Sequence, residues 1–145
     1  MALLIEESTR VAAPPDAVWK LLSEPKSWRY WWPGVRAAES SDRRPLHDGS
    51  TFEVTIALGP FPVTLRPTVE VAQPNRALLW VSRSLGVERR HAFYIETGAQ
   101  TTSVRQRCTF AGVGMPLFRL LGLPQAYSEM FRKSLSGLRK MAERS

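Results

Sequence analysis

The stretch VAAPPDAVWKLLSEPKSWRYWWPGV, residues 11–35, decides how the rest of the chain is read. Pro14 and Pro15 cannot continue a β-ladder, so a strand running into them ends there. Pro15 suits a first helical turn, where its missing N–H is no loss. Val18, Trp19, Leu21 and Leu22 then fall on a short helix that Pro25 ends. Trp28, Tyr30, Trp31 and Trp32 follow, four aromatics within five residues, before Pro33-Gly34 turns the chain. The spacing predicts a second short helix joined directly to a strand.

Upstream, LLIEESTRV (3–11) mixes apolar and polar positions and reads as a strand. Downstream, residues 35 to about 111 are mostly strand. Phe52, Val54 and Ile56 alternate with Thr51, Glu53 and Thr55, the period of two that marks a half-buried strand. GPFP turns the chain, and Val63, Leu65, Val69 and Val71 alternate with Thr64, Arg66, Thr68 and Glu70. Pro67 inside that run implies an edge, a bulge or a bend. QPNR turns again; ALLWVSRS (77–84) carries apolar groups on both faces, so its inward side stays open. His91, Phe93 and Ile95 then oppose Arg90, Ala92, Tyr94 and Glu96, and after TGAQ, Val104, Gln106, Cys108 and Phe110 oppose Arg105, Arg107 and Thr109.

The last thirty residues change period. Tyr127, Met130, Phe131, Leu135, Leu138, Met141 and Ala142 recur at steps of three and four, an amphipathic helix of about five turns. Gly122 and Pro124 separate it from PLFRLL. The order predicts a single α+β domain over residues 1–145, with about seven strands, two short helices after the first, and one long C-terminal helix. Short turns favour antiparallel neighbours, and a sheet of this width curls. Its apolar face needs a cover, and the last helix is the element long enough to supply it.

Bulk properties agree. A chain of 145 residues is one ordinary domain, able to bury roughly 70% of its unfolded surface. Cys108 is the single cysteine, so no internal disulfide forms, and with two histidines there is no set for a structural zinc site. MALLIEESTR lacks the basic start and long apolar core of a signal peptide, and no window reaches a membrane span; the expectation is a soluble cytoplasmic protein. The net charge of +7 comes from arginines spread along the chain, not from a basic recognition motif. A solvated basic surface explains it better than nucleic acid, which is not expected as a partner. A homodimer is compatible with the sequence, which does not select an oligomeric state.

The residues quoted carry a resemblance. VAAPPDAVWKLLSEPKSWRYWWPGV is similar to the Pro-x-x-Val-Trp helix and aromatic second helix of the START-like (SRPBCC) superfamily. That group includes polyketide cyclases/dehydrases, lipid-transfer domains and the birch pollen allergen. HAFYIETGAQTTSVRQRCTFAG (91–112) resembles its last two paired strands, and the closing helix is a third match. The resemblance implies a helix-grip fold: a curved antiparallel sheet around the C-terminal helix, with an apolar cavity between them closed at one end by the short helices. Such cavities measure on the order of several hundred Å³.

Candidate site residues follow from parity. His91 and Gln106 point inward as the polar anchors, His91 being also the weak candidate for catalysis. Phe52, Val54, Trp80, Phe93 and Phe110 line the concave face, Met130 and Leu138 face it from the helix, and Tyr30 and Trp32 are placed at the cavity mouth. Cys108 reads as a small buried hydrophobe. Arg66, Arg90, Arg105 and Arg107, with Glu53, Glu70 and Glu96, fall on the outer parity as cross-strand pairs. There is no phosphate loop, nucleophile elbow, metal-ligand cluster or inward carboxylate pair. The leading expectation is binding or transport of a small hydrophobic ligand: a lipid, isoprenoid, quinone or polyketide-like compound. The first rival is a polyketide cyclase or dehydratase working without metal or other cofactor, by orienting its substrate. The second is a protein-interaction module of the chaperone- or ribosome-associated type, which would have a filled interior and an exposed patch.

Overall fold

In the computed structural model, which describes residues 2–58 and 60–144, the elements run in the expected order. They are β1 (Leu3–Val11), α1 (Pro15–Ser23), a 3₁₀ turn (Pro25–Ser27), α2 (Trp28–Trp31), β2 (Val35–Ser40), β3 (Phe52–Leu58), β4 (Phe61–Leu65), β5 (Thr68–Gln73), β6 (Ala77–Ser84), β7 (Val87–Thr97), β8 (Thr102–Ala111), α3 (Met115–Leu120) and α4 (Leu123–Glu143). Two antiparallel sheets form, in the orders β1-β8-β7-β6-β5 and β2-β3-β4.

The strand count differs from the sequence expectation because the run around Pro67 makes two strands, one in each sheet. Pro67 has no N–H to donate, so the ladder breaks there and the chain crosses over. The sheets stay connected at that corner: Thr51 bridges Thr68, Val69 N–H donates to Ser50 O at 2.7 Å and Phe52 N–H to Pro67 O at 3.2 Å. The result is a deep, strongly bent surface with α4 lying across its concave side.

Register sets which side chains face α4. On β7, Val87, Arg89, His91, Phe93 and Ile95 are buried; on β8, Thr102, Val104, Gln106, Cys108 and Phe110 are. The pairs His91 with Cys108 and Phe93 with Gln106 put these two rows side by side. The alternate positions carry exposed ion pairs: Arg66–Glu53 and Arg90–Glu70 join expected partners, whereas Arg105 and Arg107 pair with Glu6 and not with the expected Glu96. Such exposed pairs contribute little to stability.

Helix α4 begins earlier than the apolar periodicity suggested, at Leu123, after the left-handed Gly122. Its 21 residues span about 30 Å. Tyr127, Met130, Phe131, Ser134, Leu135, Leu138 and Ala142 form the buried stripe. Gly137 lies where α4 meets α2, and a Cβ there would run into the Trp31 carbonyl, so the two helices approach backbone to backbone. At the far end Glu143 Oε2 accepts from Ala12 N–H at 2.8 Å, pinning the helix to the corner after β1. Among the described residues no helix is long and apolar enough to cross a membrane.

Candidate functional site

The short helix α2 shows how the local sequence builds the site. At about 100° per residue, Trp28, Trp31 and Trp32 face inward and Tyr30 is left opposite. The three indoles are buried, whereas Tyr30 is 68% exposed and lies under the Arg29 guanidinium. The placement of Tyr30 at the cavity mouth is therefore corrected: one helical turn cannot present all four aromatics to one side.

Trp32 meets Trp80 and His91 in the interior. Trp80 stacks on the His91 imidazole, ring centres 4.5 Å apart at 17°, and Trp28 stacks on Trp80 at 5.4 Å. Trp32 stands 5.7 Å from His91, and Phe93 and Phe131 close the ring around it. One side of the imidazole is polar. Gln106 Nε2–H donates to His91 Nε2 at 3.0 Å, and Gln106 Oε1 accepts from Ser134 at 3.0 Å; the Ser134 proton is shared with Phe131 O at 2.9 Å. This chain links α4, β8 and β7. Burial in an aromatic cage disfavours the imidazolium and lowers the His91 pKa to about 3, so the ring is neutral with its proton on Nδ1.

A cleft runs between this cluster and α4. Trp32, Val54, Trp80, His91 and Met130, all expected site residues, line it. Phe52, Phe93, Gln106, Phe110 and Leu138 do not reach its surface. Phe52 and Phe93 support the indoles from behind, Phe110 packs against Phe118 and Tyr127, Leu138 is solid core, and Gln106 holds His91. The cleft also exposes Ser82, Arg89, Cys108 and Tyr127, none of them among the expected site residues, although Cys108 and Tyr127 were expected to face inward. Arg89 was legible, lying two residues before His91 on the same face, but an arginine invites an outward reading. Trp80 and Ser82 show which face of β6 borders the cleft.

The expected volume is corrected as well. The cleft encloses about 40 Å³, room for about one or two waters and not for a ring. Trp28, Trp32 and Trp80 project into the space that the fold leaves, and indoles are the bulkiest side chains available. Two features of the cleft wall are unusual for a packed core. Trp32 is 4% exposed and its Nε1–H has no hydrogen-bond partner among the described residues. Buried donors are nearly always paired, and leaving one unpaired costs about 1–3 kcal/mol. Arg89 is 6% exposed and also lies in the wall.

Other chemistry is weak here. Burial pushes the Cys108 thiol far above its ordinary range, so it is neither a nucleophile nor a thiolate ligand. Tyr127 is raised too, burial outweighing the nearby Arg89. No group of three His, Cys, Asp or Glu among the described residues could hold a metal. The hollow near Ser40, Arg43 and Glu53 is larger, about 430 Å³, but it lies open on the outer surface of β2 and β3.

The fold and this interior define a helix-grip protein with an aromatic, donor-lined cleft under its C-terminal helix. The chain belongs to the family described as polyketide cyclase / dehydrase and lipid transport, whose model matches residues 3–143. Among solved structures it resembles the Zhui aromatase/cyclase from Streptomyces sp. R1128, with TM-score 0.83 and 17% identity over 99% of this chain and 95% of that one. The di-domain aromatase/cyclase BexL matches with TM-score 0.81 and 15% identity over 98% of this chain, which spans 50% of BexL. Ara h 8.0201 matches with TM-score 0.69 and 11% identity over the full length of both chains. At these identities the likeness is one of fold. No curated protein is similar enough in sequence to match.

Proposed function

We propose that the chain binds a small apolar molecule in the cleft bounded by Trp32, Trp80, His91 and Met130, which widens from about 40 Å³ to admit it. The observation that carries this is the unpartnered Trp32 Nε1–H in the cleft wall. A ligand oxygen in the cleft would satisfy this donor. The family description and the aromatase/cyclase relatives support the same reading. Access requires side chains to move. Met130 is the best suited, being unbranched and polarisable, and it faces the α2–β2 turn at Gly34, whose φ is +96°.

Binding is favoured over catalysis because His91 is the one inward imidazole and it is held neutral, with a pKa of about 3. A general base works best with a pKa near the operating pH. The test is uptake of a neutral naphthylamine fluorophore by the wild type and by Met130→Ala. The expected result is blue-shifted emission in both, with at least tenfold tighter binding to the variant. Absence of uptake by either, with circular dichroism unchanged, would contradict the reading.

A protein-interaction module is the second reading, because the interior is nearly filled and one end of the molecule is apolar. Leu85 (88% exposed), Val113 (94%) and Leu120 (81%) project there from the β6–β7 turn, the β8–α3 loop and α3. If these residues form the working surface, serine at all three abolishes partner capture and leaves fluorophore binding intact.

A further inference from the structure

Arg89 is a buried cation with no anion. Its Nε–H donates to Tyr127 Oη at 3.2 Å, and Nη1 donates to Ser84 Oγ at 3.1 Å and Val87 O at 3.4 Å. Every one of these partners is neutral. Nη2 has no hydrogen bond among the described residues, and none of the carboxylates there forms an ion pair with Arg89. The nearest in sequence, Glu88, points to the other face and pairs with Arg83 and Arg90. Cys108 and Tyr127, the other ionisable groups near it, stay protonated. Buried charges are ordinarily paired, because desolvating one costs several kcal/mol. The same cleft wall holds Trp32, whose Nε1–H has no hydrogen-bond partner among the described residues.

We infer that the missing anion is supplied by the ligand, and that the cleft takes an apolar molecule bearing one carboxylate, its acid group on Arg89 and its body among Trp32, Trp80 and Met130. This rests on the binding reading above and narrows it from apolar compounds in general to amphipathic monoacids. A charge-assisted pair with a guanidinium discriminates strongly against a neutral isostere.

The test compares 2-naphthoic acid, its methyl ester and 2-naphthylmethanol, titrated at pH 7.5 into the wild type, Arg89→Lys and Arg89→Gln. The expected result is that the wild type prefers the acid to the ester by about ten- to a hundredfold, the gain of one to two charge-assisted bonds. Arg89→Lys keeps part of that preference. Arg89→Gln loses it, and native circular dichroism of the variant shows that it is folded. Equal affinity of the wild type for acid and ester overturns the inference and leaves the binding reading standing. Binding of none of the three, by a protein with native circular dichroism, overturns both.

Discussion

His91 links the chemistry of the interior to the stability of the fold. Its pKa is about 3 in the folded protein and near 6.5 when unfolded. Between those values the unfolded chain binds more protons than the folded one, so stability falls as pH drops from about 6.5 toward 3, by a few kcal/mol. Urea midpoints should fall steadily over that range, and His91→Asn should flatten the slope. An unchanged slope in the variant would mean that the acid sensitivity originates elsewhere. Arg89 gives a second prediction at this scale. If it is kept for a ligand, removing its charge costs the empty protein little, and Arg89→Gln should melt within a few degrees of the wild type or above it. Gln106 should behave in the opposite way. It is fully buried and bonded at both ends, so Gln106→Leu leaves His91 Nε2 without its donor and Ser134 with its Phe131 O bond alone, and should cost about 1–3 kcal/mol. Chemical denaturation measures both.

The seating of α2 against α4 decides whether the aromatic cluster forms. Four residues make no stable helix alone, so α2 depends on its burial of Trp28 and Trp31 and on the close approach at Gly137. Gly137→Ala gains helix propensity but forces the Trp31 backbone away. The clash should outweigh the gain, lowering stability by about 1–3 kcal/mol and shifting tryptophan emission as Trp32 leaves its cage. A more stable variant with native emission would show that the two helices can separate without disturbing the site. The elements themselves were largely legible. Alternation in β3, β7 and β8 and the stripe on α4 gave their inward faces directly, because a residue's face follows from local period alone. The division at Pro67 and the outward Tyr30 were not. Each depends on where the chain goes next or on how short a helix is, and period carries neither. Of the expected residues, His91, Trp80, Trp32, Val54 and Met130 line the cleft, while Phe52, Phe93, Phe110 and Leu138 share their parity yet sit behind its wall. Parity separates inside from outside but not lining from core.

At the scale of the molecule, a grip of two sheets around one helix is a fold made to enclose something, and in this chain the enclosed space is taken by tryptophan. On our proposal this space opens, and the unpartnered Trp32 Nε1–H and the guanidinium of Arg89, bonded only to neutral groups, specify what enters. The exposed leucines at the α3 end stand as a separate surface and are not needed for this. The measurement that bears most directly on the account is a crystal structure of the protein grown with 2-naphthoic acid. The account predicts ring density between Trp80 and α4, Met130 displaced, and the carboxylate within hydrogen-bond distance of Arg89. A filled interior with the cleft still about 40 Å³, or the acid bound only on the outer surface, would contradict it.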